Sequence, residues 1–352
     1  MSELPAYQVL HGDNPFAASG ELDLLHPVRA DVAHWSETMY FHAWDPEQGR
    51  GIFVHTGRWP SDLGLWWAQV IALLPGGELL VDRSWGRASD NTGPRTGNLK
   101  VACTEPLRSW RLDFDGGGER TDLARMGEGP VGAGRVAAFQ FTLALEALAP
   151  VWDMHAAFGI RDLAWAGAHH VQGMQMTGTL TVEGETWPLT GVAHRDHSSG
   201  PRNFAPFGGL HFFTVVFPDT GRVLNGLVNW KRDGTVDHRV YTDQEAGRCE
   251  IGTQVEVTGL ADLTTHQPRR LEIVLGREDG SKDVLDAEWL HGYTLTLLEP
   301  NENINGAAHD AEPDPLLVTQ STVRVTAPDG AVGYGVIERD YRRSMLPSPE
   351  RR

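Results

Sequence analysis

Four segments of the chain share one plan: an apolar or alternating run, a turn built from Pro, Asp and Gly, then a second run. TGTLTVEGETWPLTG (177–191) turns near Gly184, and FFTVVFPDTGRVLNGLVNW (212–230) turns at Pro218-Asp219-Thr220-Gly221. LEIVLGREDGSKDVLDAEW (271–289) turns around Asp279-Gly280, and STVRVTAPDGAVGYGVIERDY (321–341) at Pro328-Asp329-Gly330. Turn residues stand wherever the chain must reverse, which is the signature of antiparallel hairpins. FQFTLALEAL (139–148) puts Phe139, Phe141, Leu143 and Leu145 on one face and Gln140, Thr142 and Glu146 on the other. Alternation of that kind marks a half-buried strand.

Few stretches oppose this plan. Forty glycines and 21 prolines interrupt helices throughout the chain. Residues 153–165 hold at most one or two helical turns, the first 30 residues and the closing SPERR read as extended, and AAHDAEPDPLL (307–317) reads as an exposed loop. The expected fold class is all-β, and 352 residues are enough for two domains. WWAQVIALLPGGELLVDRSW (66–85) and the 212–230 segment share a layout of aromatic pair, apolar strand, Pro-containing turn, second strand and Trp. Two related β domains follow, with an extension at 1–34 and domains at 35–190 and 191–345.

Charge and cysteine usage exclude several functions. Thirty basic residues against 47 acidic ones give −17, which argues against nucleic acid or an anionic membrane as partner. Cys103 and Cys249 form no CxxC pair, so a reducing compartment fits. The longest uncharged apolar run, LGLWWAQVIALLP (63–75), is too short to cross a bilayer, which needs about 20 residues. No secretory signal stands at the start, and a cytoplasmic location is expected. GAGRVA (132–137) fits a permissive GxGxxA, but a strand follows where a dinucleotide site needs a helix. Walker A and GxSxG motifs are absent.

The chemistry concentrates at GVAHRDHSSGPRNFAPFGG (191–209), where His194, Arg195, Asp196 and His197 stand side by side. In an extended chain His194 and Asp196 face one way, Arg195 and His197 the other. A carboxyl in an apolar pocket has its pKa raised and can act as a general acid, while histidine titrates near neutrality unaided. The alternatives are a polar lock made by Arg195 and Asp196, and a metal site drawn from His194, His197, His169, His170 and His211. HxxH converges on one ion only at helical spacing, and this segment reads as strand and turn, so no metal is expected. Glu338, in GYGVIERD (333–340), aligns with Val336 and is either an inward-facing acid or an edge charge against aggregation. Twelve tryptophans, Trp230 among them, either wall a cavity for a bulky apolar ligand or fill β cores.

HRDHSSGPR (194–202) resembles the RDHSWGPR-type signature of a large family of bacterial proteins. That family is distantly similar to carotenoid 1,2-hydratase (hydroxyneurosporene synthase) and AttH proteins, which carry a comparable DHxWG motif. ETMYFHAWDPEQGRGIFVHTGRWP (37–60), WRLDFDG (110–116), HHVQGMQMTGTLTVEGETWPLTG (169–191) and GYGVIE (333–338) carry the resemblance over roughly 35–341. It implies two lipocalin-like antiparallel β domains around a hydrophobic cavity, and cofactor-free chemistry on apolar substrates. Arg195, Asp196 and His197 match the RDH of the signature. Ser199 replaces its Trp, and His170 stands where many relatives carry an acid.

Two expectations follow. One is a lyase or isomerase without cofactor, a hydratase or dehydratase acting on a hydrophobic isoprenoid, steroid-like or aromatic compound. Asp196 is then the acid, His197 or His194 the base or orienter beside Arg195, and His170, Gln172, Trp230 and Glu338 the substrate wall. The other is a carrier whose RDH run locks the domains. The expected partner is a hydrophobic small molecule in either case, and a homodimer is compatible with both.

Overall fold

A computed structural model describes residues 7–156, 165–262, 264–298 and 302–345. Every expected hairpin forms. Val182 pairs with Glu185 across Glu183-Gly184, whose φ angles are 49° and 92°. Two positive φ values make the turn whose twist suits the strands it joins, and Gly184 adopts one of them without steric cost. Phe217 pairs with Arg222, Gly276 with Lys282 and Thr326 with Val332, each across its predicted turn. In the strand Val136–Ala147 the four apolar residues at 139, 141, 143 and 145 are buried.

The strands assemble into two antiparallel sheets of lipocalin-like form. The first closes into a ring. Its order is 185–201, 35–45, 50–59, 62–74, 78–86, 109–122, 136–147 and 168–182, and the last strand pairs back onto the first. Closure leaves this sheet without a free edge along the ring. Met39, Phe41, Ile52, Val70, Leu112 and Phe141 are among the residues that fill it. The second sheet runs 7–11, 248–252, 236–245, 222–231, 207–217, 332–342, 316–326, 282–298, 268–276 and 255–261. It curls, because Val255 and Val257 on the final strand share a core with Val228 and Tyr241 near the other end. The related segments 66–85 and 212–230 are hairpins of different sheets.

The sheets meet face to face. Along Trp35–Asp45, Met39, Phe41 and Ala43 point into the ring, while Tyr40 and Trp44 pack with Tyr293, Leu295 and Val318 of the second sheet. Strand pairing divides the chain differently from the expected boundary. The division at 190/191 falls inside the strand Glu185–Pro201, which pairs within the first sheet, so the HRDH run belongs to the N-terminal ring. The N-terminal segment is not a loose extension. Tyr7–His11 pairs with Arg248–Gly252 of the second sheet, and the short helix Gly20–Asp23 brings Asp23 to a fully buried position. The 307–317 segment is exposed only at its middle, since Ala307, Ala308, Leu316 and Leu317 are buried. Most of the 153–165 stretch lies outside the described residues. No helix among them is long and apolar enough to cross a membrane.

Candidate functional site

The HRDH run crosses the middle of the wall between the sheets, and its alternation sends it both ways. His194, Asp196 and Ser198 pair across from His42, Tyr40 and Thr38 and share their outward face. Arg195 and His197 pair across from Phe41 and Met39 and point into the ring.

On the inward face the polar groups are paired with one another. Arg195 is fully buried, forms an ion pair with Asp23 at 2.6 Å, donates from Nε to Gln172 Oε1 at 3.1 Å and lies over the Trp110 ring. Gln172 also donates to the carbonyls of Leu107 and Ala149. Glu37 accepts from Arg58 Nε at 2.8 Å and from the His26 backbone at 2.7 Å, and lies 2.9 Å from His197 Nε2. His26 stacks on His197 and contacts Ser199 Oγ through Nδ1 at 2.7 Å. The space beside Ser199 is thus taken by an imidazole. His170 lies on this face, opposite His197, and burial pushes its pKa down to about 2.

The outward face opens into a cavity of about 130 Å³ between the sheets. Tyr40, His55, His169 and Asp196 line it from the first sheet, and Leu210, Phe212, Leu227, Glu338 and Asp340 from the second. Trp165, Arg202 and Phe204 close it from the connecting segments. Asp196 contacts His169 Nε2 and keeps 16% of its side chain exposed. Arg202 is held by the Trp165 carbonyl at 2.7 Å, the Ser198 carbonyl and hydroxyl at 3.0 Å, and Thr38 Oγ1 at 3.1 Å. Asn303 donates to His55 Nδ1 at 2.9 Å, which leaves the ring proton on Nε2. Burial pushes the His55 pKa down to about 3, so the ring is neutral.

Glu338 sits on the strand Val332–Arg342, which is flanked on both sides by other strands and is no edge. Gln320 donates to its carboxyl and accepts from the Tyr40 hydroxyl at 3.0 Å. Burial, with the Asp196 charge adding to it, pushes the Glu338 pKa up to about 7. Asp340, two residues on and sharing a hydrogen bond with Glu338, is pushed well above the usual carboxylate range by burial and by the Glu338 charge. Two carboxyls this close and this dry cannot both ionise at neutral pH. The site therefore holds protonated carboxyl groups beside a solvent-touched Asp196–His169 pair, which is the equipment of acid–base chemistry.

Of the residues expected here, Asp196 and Glu338 face the cavity together. Arg195, His197, His170 and Gln172 lie behind the wall, and His194 packs against Tyr40 and His42. Trp230 contacts His211 and Tyr341 elsewhere in the second sheet. The tryptophans do not wall the cavity: Trp66, Trp67, Trp110 and Trp152 are packed in the protein interior, and Trp165 alone of the twelve lines it. His194 and His197 face opposite sides and cannot share an ion. His26, Glu37 and His197 do bring their donor atoms within 4.8 Å of one another. Arg58 already neutralises Glu37, however, and the two rings are nearly parallel at 4.5 Å, so their lone pairs do not converge on one point.

Asp340, His55, Tyr40 and Arg202 were not anticipated, and His169 entered only as a candidate metal ligand. Asp340 was legible, since it follows Glu338 by one period of the strand. His169 required the register against the motif strand, and His55 and Tyr40 required the packing of one sheet on the other.

Residues 20–341 match a family described as a domain of unknown function, DUF7064. No curated protein matches the chain. Among solved structures, an AttH-like protein of Nitrosomonas europaea is similar with a TM-score of 0.63 and 16% identity, over 90% of this chain and 95% of that one. CghA, solved with Sch210972, is similar with a TM-score of 0.51 and 11% identity, over 96% and 99%. Kievitone hydratase from Nectria haematococca gives 0.47 and 11%, over 94% and 98%.

Proposed function

The chain belongs to the DUF7064 family, and for this member we propose acid–base chemistry on a largely apolar small molecule in the cavity between the sheets: a lyase or isomerase, most simply a hydratase or dehydratase. The observation that carries this is Glu338, a carboxyl held protonated near neutrality at the wall of an apolar cavity, facing Asp196 and His169. The Glu338 proton is delivered to an alkene carbon, whose π electrons form the new C–H bond. The cation left on the neighbouring carbon lies among Phe204, Phe207, Phe212 and Trp165, whose ring faces favour positive charge. Water then adds to that cation, or an adjacent C–H loses its proton, and the Asp196–His169 pair accepts the proton released. Run in reverse, the same groups dehydrate a tertiary alcohol. Arg202 fixes the loop end of the motif strand beside Asp196. The fold shared with CghA, which has been solved with Sch210972, supports a small-molecule role.

A carrier without turnover is the second reading. It is favoured by Arg195 and His197, which spend their contacts holding the ring together. The two are separated by incubating apolar alkenes and tertiary alcohols in ¹⁸O-labelled water. The enzyme incorporates label, and Glu338→Gln stops incorporation while the compound still binds. Saturable binding with no ¹⁸O in any compound, no alkene isomerised and no alcohol dehydrated leaves the carrier.

A further inference from the structure

Resting on the cavity as a ligand site, we propose that its ligand carries a protonated amine on an apolar body, and that Asp340 is the counter-charge that receives it.

Three carboxyls line the cavity, Asp196, Glu338 and Asp340, against one guanidinium, Arg202. Arg202 spends both terminal nitrogens on Trp165, Ser198 and Thr38, keeps only Nε unpaired, and shares its charge between Asp196 and Glu37. Among the described residues no Lys or Arg comes within ion-pair distance of Glu338 or Asp340. Arg339, between them, points away and donates to the His266 carbonyl at 2.8 Å. Asp340 is 5% exposed and lines the cavity, and apart from the hydrogen bond it shares with Glu338 no donor reaches its Oδ1. An acceptor buried without a donor is costly, and a ligand N–H placed there removes the cost.

A charged donor fits better than a hydroxyl. Phe204, Phe207, Phe212 and Trp165 stand among the polar groups of the wall, and a carboxyl beside aromatic faces is the arrangement that recognises alkylammonium groups. An ammonium on Asp340 also resolves the crowding of the carboxyl pair. Asp340 ionises against the cation, and Glu338 keeps the proton that the proposed chemistry needs. The volume, about 130 Å³, matches one benzene-sized ring, so the part of the ligand inside is a single ring or a short branched chain.

The test uses ligand-observed ¹⁹F NMR on the full chain near neutral pH in about 0.15 M salt, which screens loose attraction of amines to the acidic surface. The probes are 4-fluorobenzylamine, 4-fluorobenzyl alcohol and 4-fluorobenzoate. The amine is expected to bind at least about tenfold more tightly than the other two. Asp340→Asn removes that preference, and Glu338→Gln retains it. If the alcohol or the benzoate matches the amine in the unaltered protein, or Asp340→Asn keeps the preference, the amine assignment is overturned while the cavity remains a ligand site. If no probe binds, the ligand site itself is refuted along with it.

Discussion

Arg195 and Asp196 are adjacent in the chain and work on opposite sides of one wall. The Arg195 guanidinium meets Asp23 inside the closed ring, and the Asp196 carboxyl meets His169 in the cavity between the sheets. A strand turns successive side chains to opposite faces, so one dipeptide serves both the stability of the barrel and the chemistry proposed for the cavity. The two roles are separable by mutation.

Arg195→Met leaves Asp23 as an unpaired buried charge. A loss of about 3–5 kcal/mol is expected in urea unfolding, as for breaking any buried ion pair from one side. The double variant Arg195→Met with Asp23→Leu removes both charges and should lose less than the two single changes added together. Full additivity would mean that the pair does not interact.

Asp196→Asn changes a half-buried group on the cavity side. The unfolding free energy should move by less than about 1 kcal/mol, and label incorporation from ¹⁸O water should be abolished. A loss of several kcal/mol would instead make Asp196 a lock of the kind expected of Arg195.

The buried histidines make the fold acid-sensitive. Burial pushes His26 down to about 4, and His42, His55 and His211 down to about 3. Below the ordinary histidine pKa of about 6.5 the unfolded chain binds protons that the native state refuses, so stability falls as pH falls. Each such histidine contributes a slope of up to about 1.4 kcal/mol per pH unit between about 6.5 and its folded value. Thermal melts should show a steep drop in Tm from about pH 6 to 4. A flat profile would mean that these rings are protonated in the folded state.

Glu338 acts in the opposite direction. Its folded pKa, about 7, lies above the ordinary 4.5, so the native state binds the extra proton between those values. Its stabilising contribution is complete below about pH 4.5 and disappears as pH rises through 7. Relative to Glu338→Gln, the unaltered protein should therefore lose stability across that window and then level off. The proposed proton delivery should fail above about pH 7 for the same reason. A stability difference independent of pH would place the Glu338 titration outside this range.

Some of this was legible because it is local. Gly184 supplies a positive φ at its turn without steric cost, and Phe139 to Leu145 alternate whatever packs on them. The division of HRDH into two faces followed from the same period of two. Glu338 stood out because it broke the apolar face of its strand.

The rest depended on contacts across long sequence separations. His169 and His170 are chemically identical neighbours, and only the register of Ala168–Val182 against Glu185–Pro201 decides which one reaches Asp196 and which one is sealed behind Gln172 and Arg195. The resemblance to the RDHSWGPR signature gave no way to choose between them. The tryptophans pointed to a cavity wall, yet its apolar part is mostly phenylalanine and leucine, and Trp165 alone of the twelve reaches it, the others being spread over separate packing clusters such as those of Trp110, Trp44 and Trp152.

The sequence alone determined the class of fold, its hairpins and the place where its ionisable residues gather, since backbone dihedrals and side-chain alternation are set within a few residues. Tertiary structure alone decided which of those residues share a cavity, and so which carboxyls keep their protons. That outcome depends on burial and on charges brought together from residues as distant as 196 and 340, and no short stretch of chain encodes it.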